Sequence, residues 1–296
     1  MSTHQHGHGH GHHHGHGVPA ADLDWDALAA HLEREADLRG AAVTEAAHWL
    51  AGLHEGEVRR ALDVGSGPGV IAAMIAEVFP AAEVVAVDQS AALLERAEAR
   101  SGGRLSVQRV DLPAEFAELG EEEADLIWSG NAVHHLGDQQ AALTALARVL
   151  RPGGLLAVAE SGLPPRYLPR DFGLGRPGFQ ARLDAVQEDG FAAMRAELPG
   201  AVEEVEDWAA MLERAGLTPS GTRTFLVEHR APLARPVREY LHTQLDRRRE
   251  QLAEHLAPED RSTLDALLAE DAPTGILSRP DAFYLSAMTV HTARKA

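Results

Sequence analysis

The stretch that decides the fold is residues 58–70, which read V-R-R-A-L-D-V-G-S-G-P-G-V. The apolar residues between positions 61 and 64 suit a short strand that is buried on both faces of a parallel sheet. This run breaks at Gly65, Gly67 and Gly69, and apolar residues then recur at helical spacing. The sequence therefore predicts a strand, a tight glycine turn and a helix in direct succession.

The glycine turn predicts a ligand site. Glycine accepts positive φ and lets a ligand approach the main chain, and the free N–H groups at a helix start attract an anionic group. A dinucleotide fingerprint has the form G-x-G-x-x-G. Val70 stands where its third glycine would be, and Asp63 precedes the turn. A glycine turn without any ligand is the remaining alternative.

The composition of the 296 residues limits the class of protein. A chain of this length can bury one sizeable core and still supply a cap or an insertion. It has no run of ~18 apolar residues, so we expect no membrane span, and without cysteine it has no disulfide framework or thiolate metal site. The net charge of −18 argues against a nucleic-acid partner, because binding phosphates requires a basic face. We expect a cytoplasmic protein.

A local basic cluster departs from this acidic composition. The interpretation that we favour is a solvated helix face with acidic neighbours, and an anion-binding wall is the alternative. The cluster comprises Arg235, Arg238, Arg247, Arg248 and Arg249.

Residues 1–20 are predicted to be a disordered tail, because alternating histidine and glycine cannot bury a core. Its histidines are expected to chelate nickel, copper or zinc weakly; they are His4, His6, His8, His10, His12, His13, His14 and His16. We favour a native tail with incidental metal affinity over a purification artefact or a dedicated metal-handling role. No metal site is expected in the core.

Residues 21–56 are predicted to form a helical cap. Asp22 or Asp24 can begin the first helix, Gly40 is expected to end it, and a second helix follows. Such helices either close the pocket of a small-molecule enzyme or simply pack on the sheet.

Further strands are predicted at 83–88, 104–110, 124–128 and 155–160. Asp88 closes the second strand ~20 residues after the glycines, where a carboxylate can accept hydrogen bonds from the ribose hydroxyls of a nucleoside.

Four stretches together resemble the class I S-adenosylmethionine-dependent methyltransferases of small-molecule type. They are L-D-V-G-S-G-P-G-V, V-V-A-V-D, D-L-I-W-S-G-N-A-V-H-H-L and V-L-R-P-G-G-L-L-A-V, and they cover roughly residues 58–160. A nicotinamide oxidoreductase has no reason to carry the last two. The resemblance implies an α/β, doubly wound, mostly parallel seven-stranded sheet of the Rossmann-like methyltransferase type, with an antiparallel strand near one edge.

The resemblance also implies S-adenosyl-L-methionine as cofactor, bound by a core of residues 57–161. Asp63 would act at the methionine end or hold the turn, and Asp111 would face the adenine amino group or serve only as a turn residue. The predicted cofactor-binding residues are Asp63, Gly65, Ser66, Gly67, Gly69, Asp88, Gln89, Asp111, Leu112, Ser129, Gly130 and Asn131.

Residues 162–296 are expected to face the substrate and to complete the sheet. The pattern predicts an irregular segment, two helices, a strand, a helical insertion and a last strand. These elements are expected at 162–177, 184–194, 205–217, 222–228, 236–268 and 282–293.

The expected function is methyl transfer to an oxygen, nitrogen or carbon atom of a small organic acceptor. Positioning and exclusion of water would supply most of the catalysis. His134 is the candidate general base, although a structural role in tethering the turn is the more favoured interpretation, and Tyr167 and His229 are weaker candidates. A non-catalytic cofactor-binding or metal-handling protein is the alternative. The oligomeric state is left open.

Overall fold

A computed structural model describes residues 25–120 and 123–296. The predicted tail of residues 1–20 and the predicted caps Asp22 and Asp24 lie outside the described residues.

The core is a seven-stranded sheet with the strand order β3-β2-β1-β4-β5-β7-β6. Strand β7 runs antiparallel to β5 and β6, and the pairings among β1 to β5 are parallel. The prediction of a doubly wound, mostly parallel sheet is confirmed. The strands are β1 (Arg60–Val64), β2 (Glu83–Asp88), β3 (Leu105–Arg109), β4 (Ala124–Gly130), β5 (Leu150–Arg166), β6 (Thr218–His229) and β7 (Tyr284–Arg294).

Alternating side chains of the central strands enter two hydrophobic cores, one on each face of the sheet. Ala61 packs with α1 and α2 on one face, whereas Leu62 packs with α4 and α6 on the other. This is the period-two pattern of a strand covered on both sides. The helices are α1 (Trp25–Leu53), α2 (Val70–Val78), α3 (Ala91–Ser101), α4 (Gln139–Val149), α5 (Phe179–Glu197), α6 (Trp208–Arg214), α7 (Arg235–Leu252) and α8 (Pro258–Leu268).

The prediction of two N-terminal helices separated at Gly40 is wrong, because α1 is one helix of 29 residues. A Cβ atom at position 40 would lie 3.1 Å from Cε of Met74 on α2. Gly40 therefore allows α1 and α2 to pack closely. Burial of the neighbouring Leu38, Ala42 and Val43 outweighs the cost of about 1 kcal/mol that glycine brings to a helix interior.

The fifth strand is longer at both ends than the predicted 155–160. Its first part passes through a register shift against β4, with Gly153 at φ 80°, and its last part pairs with β7 as far as Arg166 opposite Leu285. The predicted irregular segment of 162–177 is therefore wrong over its first residues. The long partner strand β7 supplies hydrogen bonds that the local sequence does not indicate.

The insertion before the last strand consists of α7 and α8, as the helical stripes predicted. Helix α7 packs on α1 and α5, and α8 packs on α5 and α7. The carboxyl ends of β1 and β4 lie at the point where the strand order reverses. In open parallel sheets this is where ligands bind.

Candidate functional site

A cavity of about 500 Å³ opens at the carboxyl ends of β1, β2 and β4, under α1 and α7. Most of the predicted cofactor-binding residues line it. These are Gly65, Ser66, Gly67, Asp88, Gln89, Leu112, Ser129, Gly130 and Asn131. The structure thus brings together four separate segments, which lie at or just after the carboxyl ends of β1, β2, β3 and β4.

The glycine turn is held by backbone hydrogen bonds and by one carboxylate. The N–H groups of Gly65 and Ser66 donate to the carbonyl of Val87 at 2.9 and 3.0 Å. The N–H of Gly67 donates to Oδ2 of Asp88 at 2.9 Å, and the N–H of Ser90 donates to its Oδ1 at 2.9 Å. Each carboxylate oxygen can accept a further hydrogen bond, so Asp88 can still receive the hydroxyl groups of a ribose.

Two of the glycines are required for packing as well as for conformation. A Cβ atom at Gly65 would lie 2.4 Å from Cβ of Ala132, and one at Gly69 would lie 2.5 Å from Cβ of Ala97. Both have positive φ, at 79° and 71°. Gly69 does not line the cavity; it precedes α2 and lets this helix approach α3.

Asp63 lies behind the cavity rather than on its wall. Burial and, to a smaller extent, the nearby Asp88 carboxylate raise the pKa of its carboxyl to about 7, against the opposing effect of a hydrogen bond with the backbone of Ala72. Its Oδ2 atom is buried without a hydrogen-bond partner among the described residues. An unpaired acceptor at this position fits a donor such as the amino group of a methionine moiety.

Asp111 also lies off the cavity wall, next to Leu112, which lines it. The N–H of Asp111 donates to a carboxylate oxygen of Glu115 at 2.9 Å. Its Oδ1 atom is buried and finds no partner in the described part of the chain. This acceptor fits the exocyclic amino group of a purine.

The turn after β4 is organised by Glu160, a buried residue of β5 that is absent from the predicted site. Its Oε1 atom accepts the N–H groups of Ala132 and Val133, both at 2.9 Å. Its Oε2 atom lies 2.7 Å from Nδ1 of His134. Asn131, at φ 52°, begins the turn. The signal in the sequence is an acid that ends the apolar run of the predicted strand at 155–160, and its burial is costly unless it is paired.

Arg195 on α5 holds the same turn from the other side. Its Nη1 atom donates to the carbonyls of His134 and Leu136, both at 2.7 Å. Burial lowers the pKa of its guanidinium, and Glu206 and Glu160 oppose this shift. The sequence offers no signal for this contact, because 59 or more residues separate the partners.

The far wall of the cavity is formed by α7. Tyr240, Gln244 and Arg248 recur every four residues and therefore share one helix face, and all three line the cavity. The prediction of a solvated arginine face holds for Arg235 and Arg249 but is wrong for Arg248, which is only 6% exposed. The amphipathic pattern of α7 does not reveal that a cavity lies on its buried side.

The two weaker catalytic candidates do not line the cavity. The buried Tyr167 hydroxyl accepts a hydrogen bond from Arg248, and Nε2 of His229 lies 2.9 Å from the carbonyl of Leu38. Both side chains therefore make hydrogen bonds away from the cavity surface.

Within residues 25–120 and 123–296, no helix is both long and apolar enough to cross a bilayer. The same residues hold no group of three or more His, Cys, Asp or Glu side chains arranged for a metal ion. The histidines of residues 1–20 lie outside the described residues.

Comparison with known proteins agrees with this geometry. The family model described as "Methyltransferase domain" matches residues 62–158. Over 113 residues the chain is 40% identical to a trans-aconitate 2-methyltransferase of Methylobacterium radiotolerans, which is 38% of this chain and 42% of that protein. It is 34% identical over 103 residues to a malonyl-[acyl-carrier protein] O-methyltransferase of Methylococcus capsulatus, covering 35% and 38% of the two chains. The chain thus spans less than half the length of these two relatives.

The fold has a counterpart among solved structures. In the complex of the Haloferax volcanii Trm112 methyltransferase activator with a methyltransferase, one chain matches with a TM-score of 0.52 and 18% identity, over 92% of this chain and 97% of that one. Residues 62–158 thus resemble a methyltransferase domain, and the order of the sheet is that of an α/β Rossmann-like fold.

Proposed function

We propose that this protein transfers a methyl group from S-adenosylmethionine to a small acceptor held in the same cavity. The main support for the proposal is that the glycine turn, Asp88 and residues of α1 and α7 all line one cavity. The cofactor would supply a methyl group already activated by its sulfonium. The protein then has to hold the two reactants in line and keep water away.

The residues present fit the cofactor along its whole length. Asp88 would bind the ribose hydroxyls, and the backbone of Gly65 and Gly67 would contact the methionine moiety. Leu112 would pack on the adenine while Asp111 accepts its amino group. The unpaired buried acceptors on Asp63 and Asp111 support this assignment. The amino group of the methionine moiety would satisfy Asp63, and the amino group of the adenine would satisfy Asp111.

His134 is proposed as the general base for an acceptor that must lose a proton. A carboxylate only accepts hydrogen bonds, so Glu160 requires that Nδ1 of His134 carry the proton. In the neutral ring, Nε2 is then the free acceptor. His134 lines the cavity, which gives its ring access to a bound acceptor.

We further propose that the acceptor is a small molecule and that nucleic acid is not a partner. The net charge of −18 would repel a phosphate backbone. Two arginines of α7 have their charge balanced by a neighbouring acid, because Arg235 pairs with Glu239 and Arg249 pairs with Asp246. The names of the relatives describe enzymes acting on trans-aconitate and on malonyl-[acyl-carrier protein], and neither is a nucleic acid.

The test is isothermal titration of the full-length protein with S-adenosylhomocysteine and with NAD, followed by transfer of a labelled methyl group to a metabolite extract. We expect S-adenosylhomocysteine to bind, NAD not to bind, and labelled product to form. Asp88→Asn should weaken binding by at least about tenfold, since charged hydrogen bonds are worth about 1.5–3 kcal/mol each. Asp265→Asn, a change at an exposed position, is the matched control. Affinity for NAD alone would overturn the proposal.

A further inference from the structure

Arg248 is a buried cation on the cavity wall, and its own interactions use only part of its guanidinium. Its Nη1 atom donates to the hydroxyl of Tyr167 and to Oδ1 of Asp184, both at 3.2 Å. Its Nε atom is buried and has no hydrogen-bond partner among the described residues. A buried donor without an acceptor is costly, so this position calls for a ligand.

Two other arginines show what this edge of the side chain binds. In Arg182, Nε and Nη2 donate to the two carboxylate oxygens of Asp260 at 2.8 and 2.6 Å. In Arg279, the same two nitrogens donate to Asp281 at 2.9 and 2.7 Å. Such paired bonds match the planar fork of a guanidinium to a carboxylate. In Arg248 the corresponding edge receives no acceptor from the described residues.

The charges around Arg248 leave an excess of positive charge. Asp184 is its ion-pair partner, but Asp184 is also within 3.7 Å of Arg166. One carboxylate therefore serves two guanidinium groups. On the facing helix α1, Arg39 is matched by Glu35 at 2.6 Å and adds no net charge. An incoming anion would neutralise the remaining charge, which burial makes expensive to leave alone.

The partners of Arg248 belong to elements that follow β5 and not to the glycine turn. Tyr167 follows β5 and Asp184 lies on α5, whereas the glycine turn is covered by Leu32 of α1, 3.7 Å from the position of a Cβ atom at Gly67. The carboxamide oxygen of Gln187 is buried beside this wall without a partner in the described chain, and Gln187 also lines the cavity. The wall thus offers a cationic fork next to an amide that can bind a second polar group of the acceptor.

We propose that the acceptor carries a carboxylate and that the Nε and Nη2 edge of Arg248 binds it with two parallel hydrogen bonds. The inference rests on the proposed function and names the chemical class of its substrate. Arg248 is then a specificity-determining residue, and Tyr167 and Asp184 fix its guanidinium in place. Methyl transfer takes place at an atom positioned by this contact.

The first experiment separates a small-molecule extract on a strong anion exchanger and offers each fraction to the full-length enzyme with a labelled methyl donor. We expect the acceptor in the retained fraction, and we expect it to survive phosphatase treatment, which distinguishes a carboxylate from a phosphate ester. An acceptor in the unretained fraction, or one destroyed by phosphatase, overturns the inference. If no fraction yields product, the proposed function is wrong and the inference falls with it.

The second experiment compares Arg248→Gln with Arg249→Gln, the same change one residue away at a solvated position. For the acceptor so found, Arg248→Gln should lower kcat/KM by at least about tenfold, as expected for loss of a bidentate charged pair. S-adenosylhomocysteine affinity should stay within about twofold, and Arg249→Gln should change neither. Arg248→Lys keeps the charge but not the fork, so its kcat/KM should lie between those of Arg248→Gln and Arg249→Gln. It also provides the test if Arg248→Gln does not fold.

Two results would remove the role assigned to Arg248 while leaving methyl transfer intact. One is an unchanged kcat/KM in both Arg248 variants. The other is a loss of S-adenosylhomocysteine affinity equal to the loss in kcat/KM, which would mean that Arg248 binds the carboxylate of the cofactor. Failure of the wild-type protein to bind S-adenosylhomocysteine would instead contradict the proposed function.

Discussion

Asp63 near the end of β1 and Asp88 at the end of β2 lie on neighbouring strands, and the carboxylate of Asp88 raises the pKa of Asp63. Burial raises the pKa of Asp63 to about 7, and the carboxylate of Asp88 contributes in the same direction. Asp88 accepts hydrogen bonds from the N–H groups of Gly67 and Ser90, whereas Oδ2 of Asp63 has no partner among the described residues. The two acids at the glycine turn are therefore not equivalent.

The first prediction concerns stability and pH. The pKa of Asp63 lies near 7 in the folded protein and near its ordinary value of about 3.9 in the unfolded chain. Between these values the folded state binds more protons, so stability falls as pH rises and the contribution is lost above the folded pKa. From about pH 5 to about pH 8, we expect wild type to lose about 3 kcal/mol relative to Asp63→Asn.

Urea unfolding of both proteins across this range measures the effect. The comparison with Asp63→Asn is needed because burial lowers the pKa values of His31 and His291, whose contributions have the opposite sign. These histidines are present in both proteins and cancel in the difference. Parallel stability curves for the two proteins would show that Asp63 titrates normally.

The second prediction compares two glycines of the turn. Both have positive φ, so alanine should cost about 1–2 kcal/mol at either position through backbone strain. At Gly69 the added Cβ would also lie 2.5 Å from Cβ of Ala97, whereas at Gly67 the nearest atom is 3.7 Å away. Gly69→Ala should therefore lower the free energy of unfolding by a further 1–3 kcal/mol, roughly the cost of overpacking. Equal losses would contradict the close packing of α2 on α3.

Sequence reasoning was most successful where a residue's role depends on its own strand or turn. The predicted limits of β2, at residues 83–88, agree with the structure. The glycine turn follows β1, and Asp88 ends β2. Because β1 and β2 pair in parallel, their carboxyl ends lie at the same edge of the sheet, and this pairing alone brings the turn and Asp88 together. The local hydrogen-bonding pattern and the two-residue period of the strands are enough to predict these features.

The parts that could not be predicted depend on contacts between distant segments. Gly40 continues a helix because Met74 packs against it, and no local rule indicates that. Glu160 and Arg195 hold the turn of His134 from β5 and α5. Arg248 resembles its exposed neighbours in the sequence, and only the fold of α7 over the sheet places it at the cavity.

The third prediction concerns Arg195, which joins α5 to the turn after β4. Arg195→Met removes the donor to the carbonyls of His134 and Leu136, and we expect a loss of about 1–3 kcal/mol in the free energy of unfolding. Turnover should fall because the ring of His134 is less well positioned, while S-adenosylhomocysteine affinity stays within about twofold. Arg230→Met, at an exposed arginine that pairs with Glu228, is the control. Stability and turnover equal to those of this control would remove the role of Arg195.

The last prediction separates the two roles open to His134. As a general base, it should contribute a factor of about 10²–10⁴ to turnover, so His134→Gln should lower kcat by that order with little change in KM. Glu160→Gln should also lower kcat, because an amide does not enforce the same proton position on Nδ1.

The control is His255→Gln, a change at an exposed histidine. If His134 is only a structural tether, its replacement should not affect turnover. Glu160 would still hold the turn through the N–H groups of Ala132 and Val133. In that case His134→Gln would lower stability but leave kcat at the level of the control. Steady-state kinetics and urea unfolding on the same three variants therefore decide between the two roles.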